Sequence, residues 1–174
     1  VSAQSGMGKS TLLHVIYGLR KDYSGQLLMD GKNIRENSYE EWESMRKQSI
    51  SMVFQDLRLF PHLTAQQNLQ LIPEVNSSTP SIVEMTTQLG VDNCLGQSVS
   101  TLSHGQRQRI AIIRALRKPF RLLLLDEPFS HLDEENQKHA SRLIQEVTEA
   151  NDAALILSSL GSSPALSFDH RISL

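Results

Sequence analysis

The stretch Ala3-Gln4-Ser5-Gly6-Met7-Gly8-Lys9-Ser10-Thr11 constrains the fold of this chain more than any other, because it runs straight into the apolar segment Leu12-Leu13-His14-Val15-Ile16-Tyr17. Small residues in a tight loop, then Lys-Ser-Thr, then a run of helical character make the phosphate-binding pattern G-x-x-x-x-G-K-[ST], with Ala3 at the first Gly position. Such a loop lets backbone N–H groups curl around polyphosphate oxygens while the following helix aims its positive end at them. Lys9 adds a charge at the β- and γ-phosphates, and Ser10 offers a hydroxyl to Mg²⁺. Val1-Ser2 reads as the last step of a strand feeding this loop. The chain has no initiator Met, and it is expected to lack the N-terminal strands that would come before.

A length of 174 residues suits one domain with a sizeable core. The net charge of −2, with both signs mixed along the chain, gives no hint of a nucleic-acid surface. The single Cys94 excludes a disulfide framework within the chain. No apolar run reaches membrane-spanning length.

Alternating strand and helix signals predict a layered α/β domain. A helix follows the loop to about Leu19, with Gly18 weakening its last turn. Gln26 to Met29 and Lys32 to Ile34 are expected to form a hairpin around Asp30-Gly31. Residues 35–47 read as a surface helix around Trp42 and Met45, and Ile50 to Phe54 as a buried strand ending at Gln55. Thr64, with Gln67 three residues on, predicts a capped helix through Leu71 that Pro73 stops. After a polar loop over 76–80, Ile82, Val83, Met85 and Leu89 share one side of a helix that Gly90 ends. Ser103 to Arg117 reads as a helix with Ile110, Ile113 and Leu116 inward. Leu122-Leu123-Leu124-Leu125 is an all-apolar run of the kind found in parallel sheets covered on both faces. Glu134 to Ala150 is an amphipathic helix with Leu143, Ile144 and Val147 inward. Ala153 to Leu157 is a further buried strand, and Arg171 to Leu174 a last one.

The four leucines lead into Asp126-Glu127. Ligands gather at the carboxyl ends of parallel strands, so Asp126 can hold Mg²⁺ through water and Glu127 is placed to polarise an attacking water. Leu102-Ser103-His104-Gly105-Gln106 then precedes a helix beginning Arg107-Gln108-Arg109. Here the sequence resembles the ATPase domain of ABC transporters, whose signature is Leu-Ser-Gly-Gly-Gln. The resemblance covers essentially the whole chain in the family's order: the phosphate loop at 3–11, Val53-Phe54-Gln55, a helical insertion, the signature, Leu-Leu-Leu-Leu-Asp-Glu-Pro at 122–128 and Ser130-His131-Leu132-Asp133.

The resemblance implies a P-loop NTPase core, a mostly parallel sheet flanked by helices, with an inserted α-helical subdomain over approximately 62–117 of a single 1–174 domain. It implies ATP and Mg²⁺ as cofactors. Ser5, Gly6, Met7, Gly8, Lys9, Ser10 and Thr11 would cradle ATP, and Ser10, Gln55 and Asp126 would hold the metal. Glu127 would be the base, with Gln55 assisting and relaying the state to a membrane partner. Ser103, Gly105 and Gln106 would reach the γ-phosphate of a second subunit's ATP, and Asp133 would lie across that interface. The implied partners are a head-to-tail homodimer or paired ATPase subunit and transmembrane permease subunits, not nucleic acid. The expected place is the cytoplasmic face of the inner membrane, and the expected activity is ATP hydrolysis energising transport.

Three positions depart from the family pattern. Ala3 replaces a Gly. His104 replaces the signature's first Gly, where it either crowds the partner's nucleotide or offers it a donor. Leu160, or Ser159 with a one-residue slip, stands where the family has a His that contacts the γ-phosphate. These departures motivate an alternative, an ATP-binding assembly or regulatory module with weak hydrolysis. Transport direction stays open: Ser51-Met52-Val53-Phe54-Gln55 resembles the lipoprotein-release and macrolide-export branch, whereas Pro128-Phe129-Ser130 looks more like importer subunits.

Overall fold

Strand β3 (Ile50–Val53) is fully buried, and β4 (Leu122–Asp126) is buried from Leu123 onward. They pair in parallel register, Ile50 with Leu122 through Val53 with Leu125, and β5 (Ala154–Ser158) joins the other side of β4, ending with Asp126 opposite Ser158. The computed structural model describes Val1 and residues 8–73, 79–159 and 166–173. Among these, the parallel sheet has the order β3-β4-β5. Val1 extends it: its nitrogen donates to the Leu157 carbonyl at 2.6 Å, and its own carbonyl accepts from Ser159 N–H at 3.2 Å. That places the entry to the phosphate loop beside the end of β5, as expected of a strand residue.

Alternation along β3 and β4 divides the core. Ile50, Met52 and Leu124 face one layer with Leu13, Ile16 and Trp42, while Val53, Leu123 and Leu125 face the other with Ile110, Ile113, Leu143 and Val147. The first layer holds α1 (Lys9–Ile16), the hairpin β1 (Leu28–Met29) and β2 (Lys32–Asn33), and α2 (Tyr39–Gln48). The second holds α3 (Ala65–Gln70), α4 (Ile82–Gln88), α5 (His104–Leu116) and α6 (Glu134–Ala150). Burial on both faces explains why the strand runs are continuously apolar. The one polar residue inside β3, Ser51, donates its hydroxyl to the Ala115 carbonyl at 2.7 Å.

Helix ends follow local chemistry. Thr64 and Gln67 form the expected reciprocal cap, and Ser38 with Glu41, Ser81 with Glu84 and Ser103 with Gln106 form three more. Helix α1 ends at Ile16 rather than near Leu19. Gly18, at φ +76°, closes it with bonds from Gly18 N–H to Val15 and from Leu19 N–H to His14. A Cβ on Gly18 would lie 2.4 Å from the Trp42 ring, so this glycine also admits the indole. Trp42 is accordingly buried, and its helix starts at Tyr39.

Further expectations are corrected. Val83 points to solvent, 68% exposed, because Met85 and Thr86 supply the buried side of α4. Ile34 still donates its N–H to the Leu27 carbonyl across the hairpin at 3.0 Å, but there it also opens a 3₁₀ turn, with the Asn33 side chain capping Arg35 N–H. Arg171 to Ser173 form no strand, and β5 is exposed at Ala154. Leu174 and residues 76–78 of the polar loop lie outside the described residues.

Candidate active site

The sheet's register brings the chemistry together. Gln55 follows β3 by two residues, Glu127 follows Leu125 of β4 by two, and Ser158 ends β5, so all three sit at the carboxyl edge of adjacent parallel strands. Helix α1 opens at the same edge from Gly8, whose φ of +91° lies in the left-handed region where a side chain would be strained. Lys9 is buried, 5% exposed, and its Nζ lies 3.8 Å from Glu127 Oε1. Ser10 is half-buried and Thr11 exposed on the same first turn. Ser5, Gly6 and Met7, like Ala3, lie outside the described residues.

Asp126 is 1% exposed. Its Oδ1 accepts the Ser158 hydroxyl at 2.6 Å, whereas Oδ2 is buried with no hydrogen-bond partner among the described residues. A buried carboxylate oxygen without a donor costs free energy unless something positive answers it. That oxygen, together with the hydroxyl on the first turn of α1, fits the hard oxygen ligation of a magnesium ion. Glu127 follows with φ +48°, which bends its carboxylate out of the strand toward Lys9. Its N–H is held by the Ser158 carbonyl at 3.2 Å and the Ser158 hydroxyl at 3.3 Å.

Gln55 is exposed and enters a tight reversal in which Leu57 and Arg58 both have positive φ, +60° and +46°. The turn is pinned: Arg58 stacks 3.8 Å above the Phe54 ring, and Arg114 of α5 donates to the Leu57 carbonyl at 3.0 Å.

The start of α5 makes the second cluster. Ser103 and Gln106 spend their side chains on each other's backbone, Gln106 N–H to Ser103 Oγ at 3.2 Å and Ser103 N–H to Gln106 Oε1 at 2.9 Å. Gly105 packs so closely on the 130–133 loop that an added Cβ would lie 3.1 Å from the His131 carbonyl. His104 stacks on His131, ring centroids 3.6 Å apart, and Ser130 Oγ bonds His131 Nδ1 at 2.8 Å. Burial, then the neighbouring His131 and Arg107, push the His104 imidazole below its ordinary value. Asp133 caps α6 through Asn136 N–H at 2.8 Å, and this bond holds its carboxyl low.

Two residues at this edge escaped the sequence reading. Ser158 bridges Asp126 and Glu127, and Gln108 of α5, 1% exposed, donates to the Pro128 carbonyl at 2.7 Å. Each is a polar residue at a position its element's apolar pattern reserves for the core, the signal that identifies them.

Phosphoryl transfer asks for positioning and charge neutralisation more than covalent chemistry. A parallel sheet presenting a buried lysine, an acid pair and a helix N-terminus at its carboxyl edge places the molecule among phosphate-loop nucleotide hydrolases. The family model for ABC transporters matches residues 3–130, and the chain belongs to that family. Among curated proteins it is 36% identical over 163 residues to the thiamine import ATP-binding protein ThiQ of Haemophilus influenzae, covering 90% of this chain and 73% of that one. It is 32% identical over 157 residues to the molybdenum import ATP-binding protein ModC of Rhizobium etli, covering 88% of this chain and 44% of that one. The dimeric post-hydrolysis structure of the ATP-binding cassette MJ0796 with ADP and Pi superposes with a TM-score of 0.78 at 27% identity, over 91% of this chain and 72% of that one. The chain binds ATP and hydrolyses it to energise transport across a membrane. No helix among the described residues is long and apolar enough to cross a membrane.

Proposed function

We propose that this chain is the ATPase subunit of an importer, working at the cytoplasmic face of the membrane as one half of a head-to-tail pair. Import is supported by the names of the thiamine and molybdenum relatives and by Pro128-Phe129-Ser130. In this reading residues 1–174 are one ATPase domain, with approximately 62–117 as its helical insertion.

The observation that carries the chemical assignment is the buried Lys9–Glu127 contact beside the unanswered oxygen of Asp126. An incoming triphosphate draws Lys9 away from Glu127, and the freed carboxylate then orients water toward the γ-phosphate. Ser5 through Thr11 cradle the polyphosphate. Ser10, Gln55 and Asp126 would hold Mg²⁺, which would supply charge neutralisation at the phosphate oxygens. Gln55, exposed on its pinned turn, reports the occupancy of the site to the permease. Ser103, Gly105 and Gln106 present the N-terminus of the 13-residue helix α5 to the partner's nucleotide, where its dipole favours an anion. Since the side chains of Ser103 and Gln106 already cap their own helix, the backbone N–H groups and the dipole are what this end offers first.

The test is Glu127→Gln in the assembled transporter. A positioned base contributes on the order of 10²- to 10⁴-fold, so turnover should fall by that factor while ATP is still bound and retained. Turnover at the wild-type rate would remove Glu127 from the mechanism.

A further inference from the structure

Strand β5 reads Ala154-Leu155-Ile156-Leu157 and then places a hydroxyl, Ser158, at a position with 0% exposure where another aliphatic side chain would complete the pattern. A serine hydroxyl has one proton to give and lone pairs to receive. Here the proton goes to Asp126 Oδ1 at 2.6 Å, in the short range of hydroxyl–carboxylate bonds. The lone pairs receive Glu127 N–H at 3.3 Å, which also reaches the Ser158 carbonyl at 3.2 Å. One residue therefore touches both members of the acid pair. The bond to Oδ1 holds the Asp126 carboxylate in one orientation, and Oδ2 is buried with no hydrogen-bond partner among the described residues. The bonds to Glu127 N–H hold a left-handed turn that a glutamate otherwise disfavours.

We infer that Ser158 is a positioning residue of the hydrolysis reaction, its hydroxyl presenting a single oxygen of Asp126 to the metal and keeping Glu127 turned toward Lys9. This rests on the ATPase reading above. Ser158 touches neither nucleotide nor metal in this role. Without its hydroxyl the carboxylate of Asp126 is free to rotate, and the turn at Glu127 loses one of its two acceptors.

The experiment uses the assembled transporter with Mn²⁺ as probe, read by electron paramagnetic resonance in the presence of a non-hydrolysable ATP analogue, beside steady-state turnover of MgATP. Losing one hydrogen bond to a charged group corresponds to about tenfold, so Ser158→Ala should weaken Mn²⁺ binding by that factor. It should lower kcat more than it raises KM, and leave metal-free nucleotide affinity unchanged. Ser158→Thr, which keeps the hydroxyl, should recover most of the Mn²⁺ affinity. Wild-type Mn²⁺ binding in Ser158→Ala, or no recovery in Ser158→Thr, overturns the inference. If Ser158→Ala does not fold, Ser158→Cys carries the same test with a weakly bonding sulfur of similar shape. If thermal melting shows that neither variant folds, the residue is purely structural and the inference is also overturned. Wild-type protein that takes up no nucleotide would instead defeat the ATPase reading, and this inference with it.

Discussion

The strand-end site and the start of α5 are built from similar polar residues to opposite effect. At the strand ends the groups are turned on one another across three elements, with Lys9 from α1, Asp126 from β4 and Glu127 just after it, and Ser158 from β5. At the start of α5 and of the neighbouring α6 the side chains of Ser103, His104 and Asp133 are exposed and Gln106 is half-buried, and they are spent locally, on helix caps and on a stack of two imidazoles. The first region is thus organised from within one chain and leaves one carboxylate oxygen open. The second presents an ordered helix end to the outside. In the function proposed above, a site divided in this way would have its chemistry on one molecule and its closure on another.

The contrast can be broken at four points, in order of expected effect. Lys9→Ala leaves Glu127 without its cation and the triphosphate without its charge. Turnover in the assembled transporter should fall by at least about 10²-fold, the scale of losing one transition-state stabilising donor, and calorimetry should show weakened ATP binding. Gln108→Leu strands the Pro128 carbonyl in the core and should cost about 1–3 kcal/mol in urea unfolding, because this one amide ties α5 to the turn carrying Glu127. Ser103→Ala removes only a helix cap and should cost about 1 kcal/mol in the same measurement. A loss as large as that of Gln108→Leu would mean the outer region is as firmly tied to the core as the inner one.

The smallest effect concerns pH. His104 in the folded chain is held below its ordinary value by burial, His131 and Arg107. The unfolded chain therefore binds the proton first, and stability is full above about pH 6.5 and declines as the pH falls below it. The Tm should drop less between pH 7 and pH 5 in His104→Phe, which keeps a ring to stack, than in the wild type. Equal slopes would dissolve the histidine pair as a pH-sensitive element.

Much of this arrangement was legible from residues alone. The four leucines followed by Asp-Glu declared a doubly covered parallel strand and its reactive end, and the Glu134–Ala150 periodicity gave α6 its bounds. The Thr64–Gln67 box was readable, while the same chemistry at Ser38–Glu41 and Ser81–Glu84 passed unnoticed because it lies in polar surroundings. What was illegible depends on tertiary contact. Residues 35–47 read as a surface helix around Trp42 and Met45, and the depth to which Trp42 is buried depends on Gly18, which makes room for its ring. Val83, one residue from Ile82 and two from Met85, turns off the side that Met85 and Leu89 bury and is exposed. Ser158 and Gln108 gain their meaning from Asp126 and Pro128, 32 and 20 residues away in sequence. His104, a departure from the signature, and His131, within the 130–133 motif, form one stacked unit that no spacing in the sequence announces.

The division of the site between two chains is tested most directly by light scattering on the Glu127→Gln protein, in which bound ATP persists. With MgATP the mass should double, and Gly105→Ala in the same chain, whose added methyl crowds the His131 carbonyl, should weaken that doubling. A mass indifferent to MgATP would contradict the account.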